Sequence, residues 1–104
     1  GSLRAEGEVK MTTNRDEAMS VHELKSQPKP YQDVLDGMKR FEWRRNDRDF
    51  RKGDRLVLRE WNQNTEAYTG RALEVRVVFI QPGGEFGIPS EFCILGIQFL
   101  RTLK

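Results

Sequence analysis

The stretch that decides the fold is Leu35-Asp36-Gly37-Met38-Lys39-Arg40-Phe41-Glu42-Trp43-Arg44, in which a helix gives way to a strand. Gly37 suits the left-handed position just past the end of a helix. From residue 39 to residue 45, Phe41 and Trp43 fall on one face and the charged residues between them fall on the other. We therefore predict a strand over 39–45 whose two aromatic rings are buried, and exposure of both rings would contradict this prediction.

The residues before this stretch predict a short helix near 30–36. Pro30 suits the first turn of a helix, where a missing backbone N–H costs nothing. Tyr31, Val34 and Leu35 are spaced i, i+3 and i+4, which gives a single apolar stripe facing the core. Gly37 then ends the helix.

Alternating apolar residues predict four further strands, over 21–25, 55–60, 71–81 and about 92–100. In the strand over 71–81, Leu73, Val75, Val77 and Phe79 share one face, which we expect to be buried in the core, including the ring of Phe79. Gly96 predicts a bulge or a close approach of the backbone in the last strand. Five strands, one short helix and short connections predict an α+β, mainly β fold, a small closed or nearly closed barrel of five or more strands.

The chain divides into a predicted flexible leader over 1–20 and one domain over 21–104. The leader has no sustained apolar period, and Gly1-Ser2 resembles an expression scar. Cys93 is the sole cysteine, so no intrachain disulfide can form, and we expect an inert buried thiol. We expect a soluble cytoplasmic monomer without a cofactor, because no apolar run is long enough to span a membrane.

Positive charge concentrates between residues 39 and 59. This segment holds nine basic residues, most of them arginines, against four acidic ones. The planar guanidinium suits phosphate oxygens, so the segment is a candidate phosphate-binding edge. An ordinary solvated surface with salt bridges is the alternative, and composition alone does not separate the two.

An ordered set of short motifs resembles a known family. Gly37-x-Lys39-x-x-Glu42-x-Arg44 resembles the ASCH signature at the entry to a strand. The motifs His22-Glu23-Leu24-Lys25, Asn46-Asp47-Arg48-x-Phe50-x-x-Gly53-Asp54 and Tyr68-Thr69-Gly70-Arg71 extend the resemblance to a PUA-like bacterial and phage family related to ASCH. The resemblance implies a barrel with a cleft beside the short helix, where PUA-like relatives bind RNA.

Some ASCH relatives are amidohydrolases of acylated cytidine that use a lysine, a threonine nucleophile and a glutamate. The resemblance places the lysine at Lys39, but the threonine position holds Glu42, which has no hydroxyl group. This departure argues against that reaction. We leave the catalytic residues unassigned and expect no metal site, because His22 is the sole histidine.

The candidate ligand-binding residues lie at the end of the first strand and between residues 39 and 48. They are Lys25, Lys39, Glu42, Arg44, Arg45 and Arg48. Lys39 and Arg44 would supply charge to a phosphate, while Glu42 would orient Arg44 or accept a hydrogen bond from a base. The alternative for Lys39, Glu42 and Arg44 is a structural ion pair near the end of the barrel, with no role in ligand binding. Trp61 and Phe86 border polar loops, where each ring could stack on a base or lie half-buried at a rim.

These observations favour a module that binds RNA or a nucleotide-like ligand. The second hypothesis is a hydrolase acting on a modified nucleoside or on RNA, with Lys39 and Glu42 as its acid and base. The third is a protein-interaction or regulatory module that uses the barrel as a scaffold. Because one fold hosts several activities, the sequence does not choose among the three.

Overall fold

The structure of the protein is a computed structural model that describes residues 19–103. It contains five strands and one helix in the order β1 (Val21–Ser26), α1 (Pro28–Leu35), β2 (Phe41–Arg45), β3 (Arg55–Asn62), β4 (Ala67–Pro82) and β5 (Phe92–Leu103). The leader predicted over 1–20 lies outside the described residues except for its last two.

The strands form one sheet in the order β1-β3-β4-β5-β2, curled into a half-barrel. β1 pairs with β3 in parallel, and every other pairing is antiparallel. The parallel pair requires a crossover, which the helix and β2 provide. β1 and β2 therefore form the two edges of the sheet. The predicted mainly β fold with one short helix is confirmed.

The helix packs its apolar stripe into the concave side of the sheet. Pro28 and Pro30 lie in its first turn, and Gly37 has a φ of 79° just past its end, as predicted. Tyr31 and Val34 are almost fully buried. They meet a core formed mainly by β3, β4 and β5, which comprises Leu24, Phe50, Leu56, Leu58, Leu73, Val75, Val77, Cys93, Leu95 and Ile97.

The predicted facing of β2 is wrong. Phe41 and Trp43 are 47% and 48% exposed, whereas Glu42 between them is only 4% exposed. Alternation fixes which residues share a face, but the pairing with β5 decides which face meets the core. Glu42 is in register with the buried Leu95, so the carboxylate points inward and both rings point outward.

The predicted burial of Phe79 is also wrong, and a bulge in β4 explains the difference. The register with β5 shifts between Val77 and Phe79, which leaves Val78 as an extra residue. One extra residue reverses the facing of the residues that follow it. Phe79 is therefore 60% exposed, and Ile80 packs against the core instead.

Two glycines have close neighbours, one opposite this bulge and one in the loop after β4. Gly96 lies opposite Phe79, and a Cβ atom at Gly96 would approach the Phe79 Cβ to 3.1 Å. The predicted close approach at Gly96 is confirmed, although the bulge itself lies in β4. In the loop after β4, a Cβ at Gly83 would fall on the main-chain oxygens of Pro89 and Phe92.

Candidate functional site

Three residues of the motifs quoted above have a structural role at the start of β1 and β3, namely His22, Phe50 and Asp54. The Asp54 carboxylate accepts hydrogen bonds from the backbone N–H groups of Ser20 and Arg51, both at 3.0 Å. His22 Nε2 lies 2.9 Å from Asp54 Oδ2, and its ring meets Phe50 edge to face at 4.8 Å. His22 is therefore a packed histidine that holds β1 against the turn before β3.

Lys39, Glu42 and Arg44 form a polar cluster on the concave side of β2, in which Glu42 is buried and the two cations are partly exposed. Lys39 Nζ donates to Glu42 Oε2 at 2.8 Å, and Arg44 Nε donates to Glu42 Oε1 at 3.1 Å. One carboxylate is thus held between two cations, which compensates the cost of burying its charge. The ion pairing given above as the alternative is present, while the ligand role predicted for these residues stays a prediction.

Two arginines bridge the open seam between the two edges of the half-barrel. Arg44 Nη2 donates to the main-chain oxygen of Lys25 at 2.7 Å, and Arg48 Nη1 donates to that of Glu23 at 2.8 Å. An edge strand exposes a row of unpaired backbone groups, and the two guanidinium groups satisfy two of them on β1. Arg44 therefore connects the Glu42 cluster to the seam.

A polar cleft of about 290 Å³ opens at this seam. Its lining residues are Glu23, Leu24, Lys25, Arg44, Arg48, Arg59 and Tyr68. The cations come from β1, β2, the loop after β2, and β3, so folding is needed to bring them together. We call this feature the basic cleft.

Aromatic rings border the basic cleft and hold two of its cations. Lys25 Nζ lies 3.9 Å from the ring centroid of Trp61, and the Arg59 guanidinium lies 4.1 Å from that of Tyr68. The two rings contact each other edge to face at 4.9 Å. Arg59 is also 3.6 Å from a Glu23 carboxylate oxygen, whereas Lys25 has no carboxylate within ion-pair distance among residues 19–103.

Of the six residues predicted for the site, three line the basic cleft (Lys25, Arg44 and Arg48), Lys39 and Glu42 lie outside its lining, and Arg45 lies on the opposite face. The Arg45 guanidinium lies 5.0 Å from the ring of Phe92 on the convex face of the sheet. Because β2 alternates, Arg45 shares the face of Phe41 and Trp43, opposite Glu42 and Arg44. The contacts described above link Lys39, Glu42, Arg44 and Lys25 to one another, whereas Arg48 contacts the main chain of Glu23.

A second buried polar group lies where β3 meets β4, and the sequence interpretation did not identify it. Glu60 is 5% exposed and accepts a hydrogen bond from Thr69 Oγ1 at 2.7 Å, while Arg71 Nε lies 3.7 Å away. The Arg71 guanidinium also lies over the ring of Tyr31 at 4.9 Å. The Tyr68-Thr69-Gly70-Arg71 motif was the available signal.

Burial sets the protonation behaviour of two core residues. It raises the pKa of Tyr31 above its ordinary value of 10.0, against the opposing effect of the nearby Arg71. It also raises the pKa of the Cys93 thiol above 9.0, and the negative charge of Asp47 adds to that shift. The thiol is therefore neutral at physiological pH, as expected of an inert buried cysteine.

The described part of the chain contains neither a metal-ligand cluster nor a spanning helix. No three histidine, cysteine, aspartate or glutamate side chains in residues 19–103 come together as a metal site. The single helix in this range is too short and too polar to cross a membrane.

Fold and site together define a small α+β protein with a curled five-stranded sheet and a basic cleft at its seam. The chain belongs to the family described as a domain of unknown function (DUF3850), whose profile matches residues 21–97. It is also 44% identical over 57 residues to an "Uncharacterized 12.9 kDa protein in GpA 3'region" of Escherichia phage P2.

That match covers 55% of this chain and 50% of the phage protein, so the chain spans about half the length of this relative. The predicted relationship to phage proteins is confirmed at this level. The closer resemblance to the PUA-like and ASCH families stays a prediction.

Proposed function

We propose that the protein is an RNA- or nucleotide-binding module that holds the phosphate of its ligand in the basic cleft. One observation carries the proposal. Four cationic side chains from separate segments (Lys25, Arg44, Arg48 and Arg59) line one cleft that contains a single carboxylate, Glu23. Such convergence favours an anionic ligand over an ordinary surface of paired charges.

We infer different parts in binding for the four cations from the contacts that each one makes. Arg44 and Arg48 already donate to main-chain oxygens of β1, which fixes their guanidinium groups while leaving other N–H groups for a ligand. Lys25 and Arg59 lie over aromatic rings, and both can turn toward a phosphate without breaking a buried ion pair. A fixed pair beside a movable pair suits binding of a flexible phosphate backbone.

Trp61 and Tyr68 supply a surface for a base beside these charges. Base stacking on aromatic rings tolerates any sequence because every base has a π-face. A nucleotide whose phosphate occupies the cleft would therefore have a ring available at the same end of the sheet.

The test is the salt dependence of binding to a short labelled single-stranded RNA, followed by fluorescence anisotropy. Each phosphate neutralised should contribute roughly −0.7 to the slope of log K against log salt. Lys25→Gln and Arg59→Gln should each make that slope shallower by about this amount. These two residues are chosen because, unlike Arg44 and Arg48, they do not donate to the backbone.

Lys52→Gln is the matched control, because Lys52 is an exposed turn residue outside the cleft and the charge change is identical. Its slope should equal that of the wild-type protein. Binding that is insensitive to salt, or a slope unchanged by Lys25→Gln and Arg59→Gln, would contradict the proposal.

A second candidate function is hydrolysis of a modified nucleoside at the Lys39–Glu42 pair. The specific observation is that Lys39 Nζ and Glu42 Oε2 lie 2.8 Å apart, with Glu42 almost fully buried. A lysine and a carboxylate at this distance can exchange a proton with a substrate that enters between them. The oriented pair would act on a water nucleophile, since Glu42 carries no hydroxyl group.

The test is a screen of acylated and otherwise modified nucleosides with the wild-type protein and Glu42→Gln. Turnover that disappears in Glu42→Gln, while RNA binding persists, would make the protein an enzyme. Absence of turnover, or turnover that survives the substitution, would exclude this assignment of the pair.

A further inference from the structure

We propose that the convex face of β2, β5 and β4 is a base-stacking platform for single-stranded RNA, continuous with the basic cleft. We call this face the aromatic platform and define it by Phe41, Trp43, Phe79, Phe92 and Ile94. The inference rests on the proposed function, because it extends the path of a ligand whose phosphate is held at the seam.

The rings of the platform lie side by side across three strands. Phe41 and Phe79 are both in register with Gly96 of β5, and Trp43 is in register with Ile94. Phe41, Trp43 and Phe79 are each about half exposed. Exposed aromatic side chains grouped on one face indicate a binding surface, whereas single ones need no explanation.

Two separate features of the chain create this exposure. The inward Glu42 sends its neighbours Phe41 and Trp43 outward, and the bulge at Val78 does the same for Phe79. One residue fewer in β4 would turn Phe79 toward the core, whereas the pairing of β2 with β5 holds Phe41 and Trp43 outward. The fold sets these directions but gives no reason for three rings to share the convex face.

The polar residues of the same face match a polyanion. Arg45 and Gln81 are in register with Phe92 and Ile94 of the platform. Arg76 and Gln98 pair with each other further along the same face, and none of these four residues is a carboxylate. Neither arginine has a carboxylate within ion-pair distance among residues 19–103. Aromatic rings combined with unneutralised arginines are the usual surface for single-stranded nucleic acid.

The platform and the cleft are connected through Glu42, which is bonded both by Arg44 of the cleft and by Lys39. The Lys39 Nζ atom donates to Glu42 on the concave side and also lies 5.1 Å from the ring centroid of Phe41 on the convex side. β2 is an edge strand, so no further strand separates the two faces there. An RNA strand that leaves the cleft can pass over this edge and reach Phe41 and Trp43.

The spacing of the rings favours a single strand over a duplex. Phe41 and Trp43 are two residues apart on a strand, which separates them by about 7 Å. Bases in a duplex rise by about 3.4 Å per step, so one base on each ring requires an extended strand with separated bases. A paired strand cannot offer its bases in that way.

The experiment measures the affinity of the full chain for a single-stranded RNA and for a duplex of the same length, by competition at fixed salt. Trp43→Ala and Phe79→Ala should each weaken single-strand binding by roughly 5- to 100-fold, the range for loss of one stacked base. Both variants should leave duplex binding unchanged. Val21→Ala is the control, because Val21 is 64% exposed on β1 and lies outside the platform.

Single-strand affinity that is equal in the wild type, Trp43→Ala and Phe79→Ala would overturn the platform. If Lys25→Gln still weakens binding in that case, the basic cleft stands and only the platform fails. A wild-type protein that binds no RNA would overturn both. Sedimentation that shows a dimer lost on Trp43→Ala would overturn the inference in favour of a protein interface.

Discussion

Asp54→Ala should destabilise the protein strongly, although Asp54 lies outside the basic cleft. The side chain is 1% exposed and accepts three hydrogen bonds, from Ser20 N–H, from Arg51 N–H and from the ring of His22. Hydrogen bonds to a charged group contribute about 1.5–3 kcal/mol each. Water can reach the freed backbone groups of the exposed Ser20 and Arg51, so we expect the lower part of that range and a total of about 3–5 kcal/mol.

Thermal unfolding followed by circular dichroism measures this loss. For a domain of this size, 1 kcal/mol corresponds to about 4–8 °C, so Asp54→Ala should lower Tm by roughly 15 °C or more. Asp54→Asn keeps one acceptor oxygen and should lose only part of that stability. A melting temperature of Asp54→Ala within a few degrees of the wild type would refute the assigned role of Asp54.

Three further predictions follow from single features of the fold. Gly83→Ala should lower Tm more than Gly84→Ala, because a Cβ atom at Gly83 meets main-chain oxygens. A Cβ atom at Gly84 meets no atom within 4 Å, and the substitution there only strains a backbone φ of 89°. Equal melting temperatures of the two variants would contradict this prediction. Burial raises the pKa of Cys93 and of Tyr31 in the folded state. The stability that each residue contributes is therefore present below pH 9.0 for Cys93 and below pH 10.0 for Tyr31, and it falls as the pH rises beyond these values. Urea unfolding midpoints that stay constant above pH 9 would argue against this prediction. Glu42→Gln should lower Tm by several degrees, because it removes the carboxylate between two cations. It should not weaken RNA binding, because it adds net positive charge near the cleft. Loss of RNA affinity in a folded variant would count against placing the RNA site in the basic cleft.

The sequence predicted the helix and the strands more successfully than it predicted which face of each strand is buried. Pro30 and Gly37 bounded the helix correctly, and the alternating segments located all five strands. The same alternation could not state which face of β2 is buried, since Phe41 and Trp43 are the more apolar pair but Glu42 is the residue opposite Leu95. The facing depends on pairing with a strand some fifty residues later, which a local pattern does not contain.

The candidate site was predicted in part for a similar reason. The Lys39, Glu42 and Arg44 cluster is local, and its spacing on one strand was visible in the sequence. Arg59 lay in the basic segment and Tyr68 in a quoted motif, but only the β1–β3 and β3–β4 pairings bring them to the cleft. Arg45 was included because it is basic and adjacent, whereas the pleat places it on the opposite face.

The most direct test of the central claim follows the arginine side-chain Nε–Hε resonances by NMR while a short single-stranded RNA is added. If the basic cleft binds the ligand, the resonances of Arg44, Arg48 and Arg59 should shift together and saturate at one dissociation constant. Those of Arg51 and Arg101, which are paired with acidic residues away from the cleft, should stay in place and serve as internal controls. Uniform small shifts across all five arginines, or shifts confined to Arg51 and Arg101, would contradict the account.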